Sequence, residues 1–156
     1  MEELLEVVKF YLPRYENTVK ICKSSPAQVN PSDLTFATRF VAMYLFIKAK
    51  GSRLLTNQYL TVDMIATAKA KGGFIEQKTF KTAGKYGFDS LILTDTNMQV
   101  LNGYISYVRP LLKSQCEFVL VNRNGGQHGK LGEIMSYLVF DAIRKYIHPT
   151  RYRQIV

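Results

Sequence analysis

Residues 62–93 read VDMIATAKAKGGFIEQKTFKTAGKYGFDSLIL. Three runs rich in β-branched and aromatic residues stand out: Val62 to Ala68, Phe74 to Phe80 and Phe88 to Leu93. Gly72-Gly73 separates the first pair, and Ala83-Gly84-Lys85-Tyr86-Gly87 separates the second. Tight reversals of an extended chain need residues that tolerate positive φ, which glycine does at no steric cost. The stretch therefore predicts a three-stranded antiparallel meander. Its second turn is cationic, flanked by Lys78, Lys81 and Lys85. Lysines in such a place have a plain structural use, because they keep an exposed strand edge from pairing with another chain.

Helical periods lie on both sides of the meander. Leu4, Val8, Tyr11 and Leu12 repeat at helical spacing, and Pro13 is expected to interrupt or kink that helix. Residues 23–32, with two prolines and three serines, read as a linking loop, and Ser32 or Asp33 can cap a second helix. That helix is predicted from Leu34 to Ala49, apolar around most of its circumference and stopped by Gly51. A helix of that kind is central to a fold. Downstream the pattern predicts a helix from Asp95 to Tyr107 capped by Thr94, with Pro110 awkward for its continuation. A short strand over Glu117 to Val121, a glycine loop over Asn122 to Gly129 and a helix through Leu131, Ile134, Leu138, Ala142 and Tyr146 complete the series. After His148-Pro149 a new helix is expected to begin. The expected class is α+β, mostly helical with a small three-stranded antiparallel sheet. The expected division is an N-terminal helix and linker over 1–32 and a core over 33–156.

The chain has 156 residues and a formal net charge of +9, which suits one domain with a strongly basic surface. The excess is uneven. Residues 1–33 hold five of the twelve acids, whereas Arg39 to Lys85 holds nine Lys or Arg against Asp63 and Glu76. A field of this kind favours a polyanionic partner. Cys22 and Cys116 are far apart among apolar residues and read as reduced core cysteines. No apolar run has membrane-spanning length, so no membrane is expected among the partners.

Most familiar chemistries find no purchase. Gly125-Gly126-Gln127-His128-Gly129-Lys130 resembles a phosphate loop only in part: Asn124 stands where its first glycine belongs, and Leu131 where a hydroxyl should meet magnesium. His128 and His148 are far apart and no cysteine pair has finger spacing, so neither a metal nor a cofactor is expected. No nucleophile elbow supports a hydrolase triad. The remaining candidates are cationic. Arg53 follows the most apolar helix, the lysine hairpin comes next, and the chain closes on His148-Pro149-Thr150-Arg151. A His and an Arg three residues apart share one side of a helical turn, a spacing that can hold a single phosphate.

That order resembles the catalytic domain of the tyrosine recombinases, the phage-integrase-like enzymes, over about residues 30–156. The family places its first arginine just after a buried helix, matched here by Lys50-Gly51-Ser52-Arg53-Leu54-Leu55. Its hairpin lysine is matched within Lys78 to Lys85, with Lys81 the chosen residue and Lys78 and Lys85 the alternatives. Its His-x-x-Arg is matched by His148 to Arg151. Among subfamilies the chain is most similar to the eukaryotic Crypton-type recombinases. It departs from the pattern where Thr56 replaces the usual acid and Thr150 the usual leucine. Tyr146 and Tyr152 stand too close to the His-x-x-Arg to be the family's nucleophile, so the chain is expected to stop short of that residue and to be inactive alone.

The resemblance implies DNA breakage and rejoining through a 3′-phosphotyrosyl link. Arg53 and Arg151 would hold the non-bridging oxygens, His148 would assist proton transfer, and Lys81 would protonate the leaving 5′ oxygen. It implies duplex DNA as partner and, in a eukaryote, a nuclear location; otherwise a cytoplasmic one. An apolar end at Ile155-Val156 invites self-association. The alternative is a non-catalytic, recombinase-derived nuclear module for DNA binding or protein interaction. A third reading is a small basic domain whose residue order is accidental.

Overall fold

The computed structural model describes residues 2–48, 60–75, 91–113, 116–128 and 131–144. The described chain is mostly helical. Helix α1 spans Glu2–Ser24 and α2 spans Pro31–Lys48, joined by a short 3-10 turn over Pro26–Gln28. Helix α3 spans Val62–Ala70, strand β1 Phe74–Ile75, strand β2 Leu91–Ile92, and helix α4 Asp95–Gly103. Helix α5 spans Leu131–Ile143.

Helix α2 is the centre of the molecule. Leu34, Phe36, Ala37, Phe40, Val41 and Leu45 are all buried, while Arg39 reaches solvent. Its cap is neither Ser32 nor Asp33. Asn30 Oδ1 accepts from Ser32 N at 3.1 Å, and Pro31 opens the helix where a missing N–H costs nothing. Asp33 is instead paired with Arg14 at 2.9 Å, and the Arg14 guanidinium lies 4.0 Å over the Phe36 ring.

Helix α1 does not break at Pro13. The proline is exposed, and buried tyrosines on either side anchor the helix. Tyr11 Oη donates to Leu138 O at 2.8 Å and Tyr15 Oη to Val100 O at 2.8 Å, so packing outweighs the lost backbone bond. Leu4, Val7, Val8, Tyr11 and Tyr15 place one stripe of α1 in the same core as α2 and the Met135 and Val139 side chains of α5.

Two expected strands change type. Val62 to Ala68 is helical, not extended. Thr61 Oγ1 accepts from Met64 N, and the alternate alanines Ala66, Ala68 and Ala70 favour a helix, which buries Ile65 and Ala68 three residues apart. The described sheet is therefore a two-stranded antiparallel ladder, with Phe74 opposite Ile92 and Ile75 opposite Leu91. Residues 76–90, which hold the rest of the expected meander, lie outside the described residues. Glu117 to Val121 forms isolated bridges, Thr61 with Phe118 and Val121 with Gln127, rather than a regular strand.

The helix after Thr94 begins as expected. Thr94 Oγ1 accepts from Asn97 N, and the Asn97 side chain accepts from Thr94 N, closing a reciprocal cap. Past Gly103 the helix widens into a π turn over Tyr104–Val108, then tightens to 3-10 over Arg109–Leu112. Pro110 has no N–H to give and, unlike Pro13, coincides with the place where the α ladder gives way. Lys113, at φ 52°, ends the run.

Candidate functional site

All four residues expected to form the site, Arg53, Lys81, His148 and Arg151, lie outside the described residues, as do Lys78 and Lys85. The described residues supply the framework on either side of them. In sequence, Arg53 lies between α2 and the bridge at Thr61, the lysines lie between β1 and β2, and His148 and Arg151 follow α5.

Each of these segments joins a well-anchored element. Leu60 O accepts from Val119 N at 2.9 Å, and Val62 N donates to Glu117 O at 3.0 Å, which fixes the entry to α3. Arg109 braces the opposite side of that junction. Its guanidinium donates to Cys116 O at 2.6 Å and to Phe118 O at 2.9 Å, holding the 116–118 backbone against the end of the π turn. The strand pair closes on α3 through Leu93 N donating to Gly73 O at 2.8 Å. Helix α5 is closed by Arg144, the residue after its last turn, in the left-handed region at φ 57°, with Arg144 N donating to Phe140 O at 2.7 Å. Arg109 is not legible as an anchor in the sequence, because nothing there announces which carbonyls a lone arginine will reach.

Two amides of the glycine loop are already committed among the described residues. Asn122 Oδ1 accepts from Asn124 N at 2.9 Å and from Gly126 N at 3.1 Å. The Asn124 and Gly126 amides are therefore turned onto that side chain and away from any anion. His128, behind it, is buried, and its backbone N–H donates to Leu120 O at 3.0 Å.

The described tyrosines with perturbed ionisation are all held protonated. Burial pushes Tyr11, Tyr15 and Tyr44 above their ordinary value, with Asp141 adding to the effect at Tyr11. Burial also takes Tyr104 up to about 12, against the opposing influence of its Thr38 hydrogen bond. None of these four is primed to act as a nucleophile. The Cys22 thiol is likewise raised by burial, and neither cysteine is in a disulfide.

Among the described residues no group of three or more His, Cys, Asp or Glu could hold a metal ion. No helix among them is long and apolar enough to cross a membrane. An open cleft of about 230 Å³ lies between α1 and α4, with Leu12, Glu16, Val19, Gln99 and Gly103 among its walls. It is smaller than ordinary ligand pockets and offers few converging polar groups.

Comparison with protein-family models, with curated proteins and with solved structures returned no match.

Proposed function

We propose that this protein binds the sugar–phosphate backbone of duplex DNA as the core of a tyrosine-recombinase-like, DNA breaking and rejoining enzyme. The observation that carries the reading is the order of cations along the chain relative to its elements. Arg53 follows the buried helix α2, Lys81 falls between two paired strands, and His148 and Arg151 follow α5. The net charge of +9 supports a polyanionic partner.

The chemistry assigned to these residues is that of phosphoryl transfer without a metal. A pentacoordinate phosphorane carries extra charge on its non-bridging oxygens. Two guanidiniums offer paired donors to those oxygens, and Arg53 and Arg151 take that role. His148 hydrogen-bonds the phosphate or moves a proton, since imidazole titrates near working pH. Lys81 donates the proton that the leaving 5′ oxygen requires. The nucleophile in this reading is a tyrosine other than the buried, protonated Tyr11, Tyr15, Tyr44 and Tyr104.

The test is anion affinity at the site. Titration of inorganic sulfate, followed calorimetrically, is expected to give weaker binding in the Arg53→Ala/Arg151→Ala variant while far-ultraviolet circular dichroism stays unchanged. Equal sulfate affinity in the variant rejects the site assignment. A non-catalytic DNA-binding or interaction module on the same scaffold is the second reading, favoured by Thr56 and Thr150 at positions where the family has an acid and a leucine. Covalent capture of a nicked duplex by the protein separates the two. A phosphotyrosyl adduct supports the enzyme; duplex binding without capture supports the module.

A further inference from the structure

Phe74 and Ile92 face each other across the β1–β2 ladder, and both are exposed, at 39% and 44%. Their neighbour Ile75 is buried, so the ladder has one covered face and one open face. Lys69 and Lys71 stand exposed at the C-terminal end of α3, immediately before the Gly72-Gly73 turn into Phe74. Backbone hydrogen bonds join the helix end to the ladder. Gly73 N donates to Ala68 O at 2.7 Å, and Leu93 N donates to Gly73 O at 2.8 Å. Among the described residues between 64 and 94, Lys69 and Lys71 are the only charged ones; Asp63 lies at the far end of α3 and Asp95 opens α4. An exposed apolar pair close in sequence to two exposed lysines is complementary to a surface that is anionic and partly apolar.

We propose that this face docks the sugar–phosphate backbone of duplex DNA, with Lys69 and Lys71 on phosphates and the Phe74–Ile92 pair against deoxyribose. The proposal rests on the recombinase-like reading and extends it from a single reactive phosphate to the strand beside it. Lysine is a compact point charge on a flexible stem, suited to backbone contact without base readout. Lys69 also complements the dipole of α3. That helical role requires only a stable fold, so it is separable by experiment.

The experiment is fluorescence anisotropy of a short labelled duplex at stepped salt concentrations. Each phosphate contact contributes roughly 0.9 to the slope of log affinity against log salt. The Lys69→Gln/Lys71→Gln variant is expected to lose roughly 1.8 from the wild-type slope. Lys69→Arg/Lys71→Arg is expected to keep it, and so is a charge-matched control, Lys9→Gln/Lys20→Gln, on the exposed side of α1. A wild-type slope in Lys69→Gln/Lys71→Gln overturns the proposal, as does an equal loss in the α1 control. If only Arg53→Ala/Arg151→Ala changes duplex binding, the phosphate site stands and this surface falls. Salt-independent duplex binding by the wild type removes both.

Discussion

Tyr104 shows how one side chain ties together distant parts of this chain. Its hydroxyl lies 2.8 Å from Thr38 Oγ1 in α2 and accepts from Val121 N at 3.4 Å, all in the buried core. Tyr104→Phe leaves two buried polar groups without that partner, at a cost of about 1–3 kcal/mol. Urea denaturation is expected to show this as a lower midpoint, and Thr38→Val in the same background is expected to add little further loss. The same burial sets an alkaline limit. A tyrosine whose folded pKa is raised holds its proton more tightly in the folded state than in the unfolded one. The stabilisation is complete below pH 10 and is lost as pH rises from 10 towards 12, where Tyr104 titrates, with Tyr15 acting in the same sense. Urea midpoints measured from pH 8 to 12 should fall across that window, with the raised Cys22 thiol adding to the loss from its lower, alkaline side. At this scale the Thr94 cap is legible in the sequence, because cap chemistry is local. Tyr104 and Arg109 are not, because their partners are set by tertiary contact. The Asn30 cap lies two or three residues before the expected one because Asn30, Ser32 and Asp33 are all competent caps and Pro31 alone fixes the start.

The helices and the ladder explain why hydrophobic period identifies one element and misleads at another. Helix α2 is so uniformly apolar that only a central helix fits it. Residues 62–70 mix β-branched residues with alanine, and the Thr61 cap with burial of Ile65 and Ala68 decides for a helix. In α1, Pro13 is tolerated because Tyr11 and Tyr15 anchor the turns around it. Pro13→Ala restores a helical N–H on the exposed side and is expected to stabilise the protein by about 1–2 kcal/mol, read as a higher melting temperature. Gly73 is the opposite case. It sits at φ 90°, and a side chain there would overlap the Leu93 carbonyl oxygen beside the strand pair. Gly73→Ala should destabilise the ladder strongly, visible as faster amide exchange at Leu93, whereas Gly72→Ala meets open space and is strained only by its own φ of 70°.

For the whole molecule, the scaffold is legible in outline and the site only as an order of residues. Helix existence depends on apolar spacing within about a dozen residues, whereas a site joining Arg53 to Arg151 depends on how distant segments meet. Charge does act at this scale, because a net charge of +9 draws a polyanion whatever the local geometry. A site for one phosphodiester asks more: the affinity must depend on particular guanidiniums and not on charge alone. The most direct measurement is therefore duplex DNA affinity across a salt series for the wild type, for Arg53→Ala/Arg151→Ala, and for a variant with two remote lysines neutralised. Weak binding that falls linearly in log–log form with salt is expected, with a loss in the double-arginine variant well beyond that of the charge-matched control. Equal affinities in the two variants, or wild-type binding indifferent to salt, would contradict it.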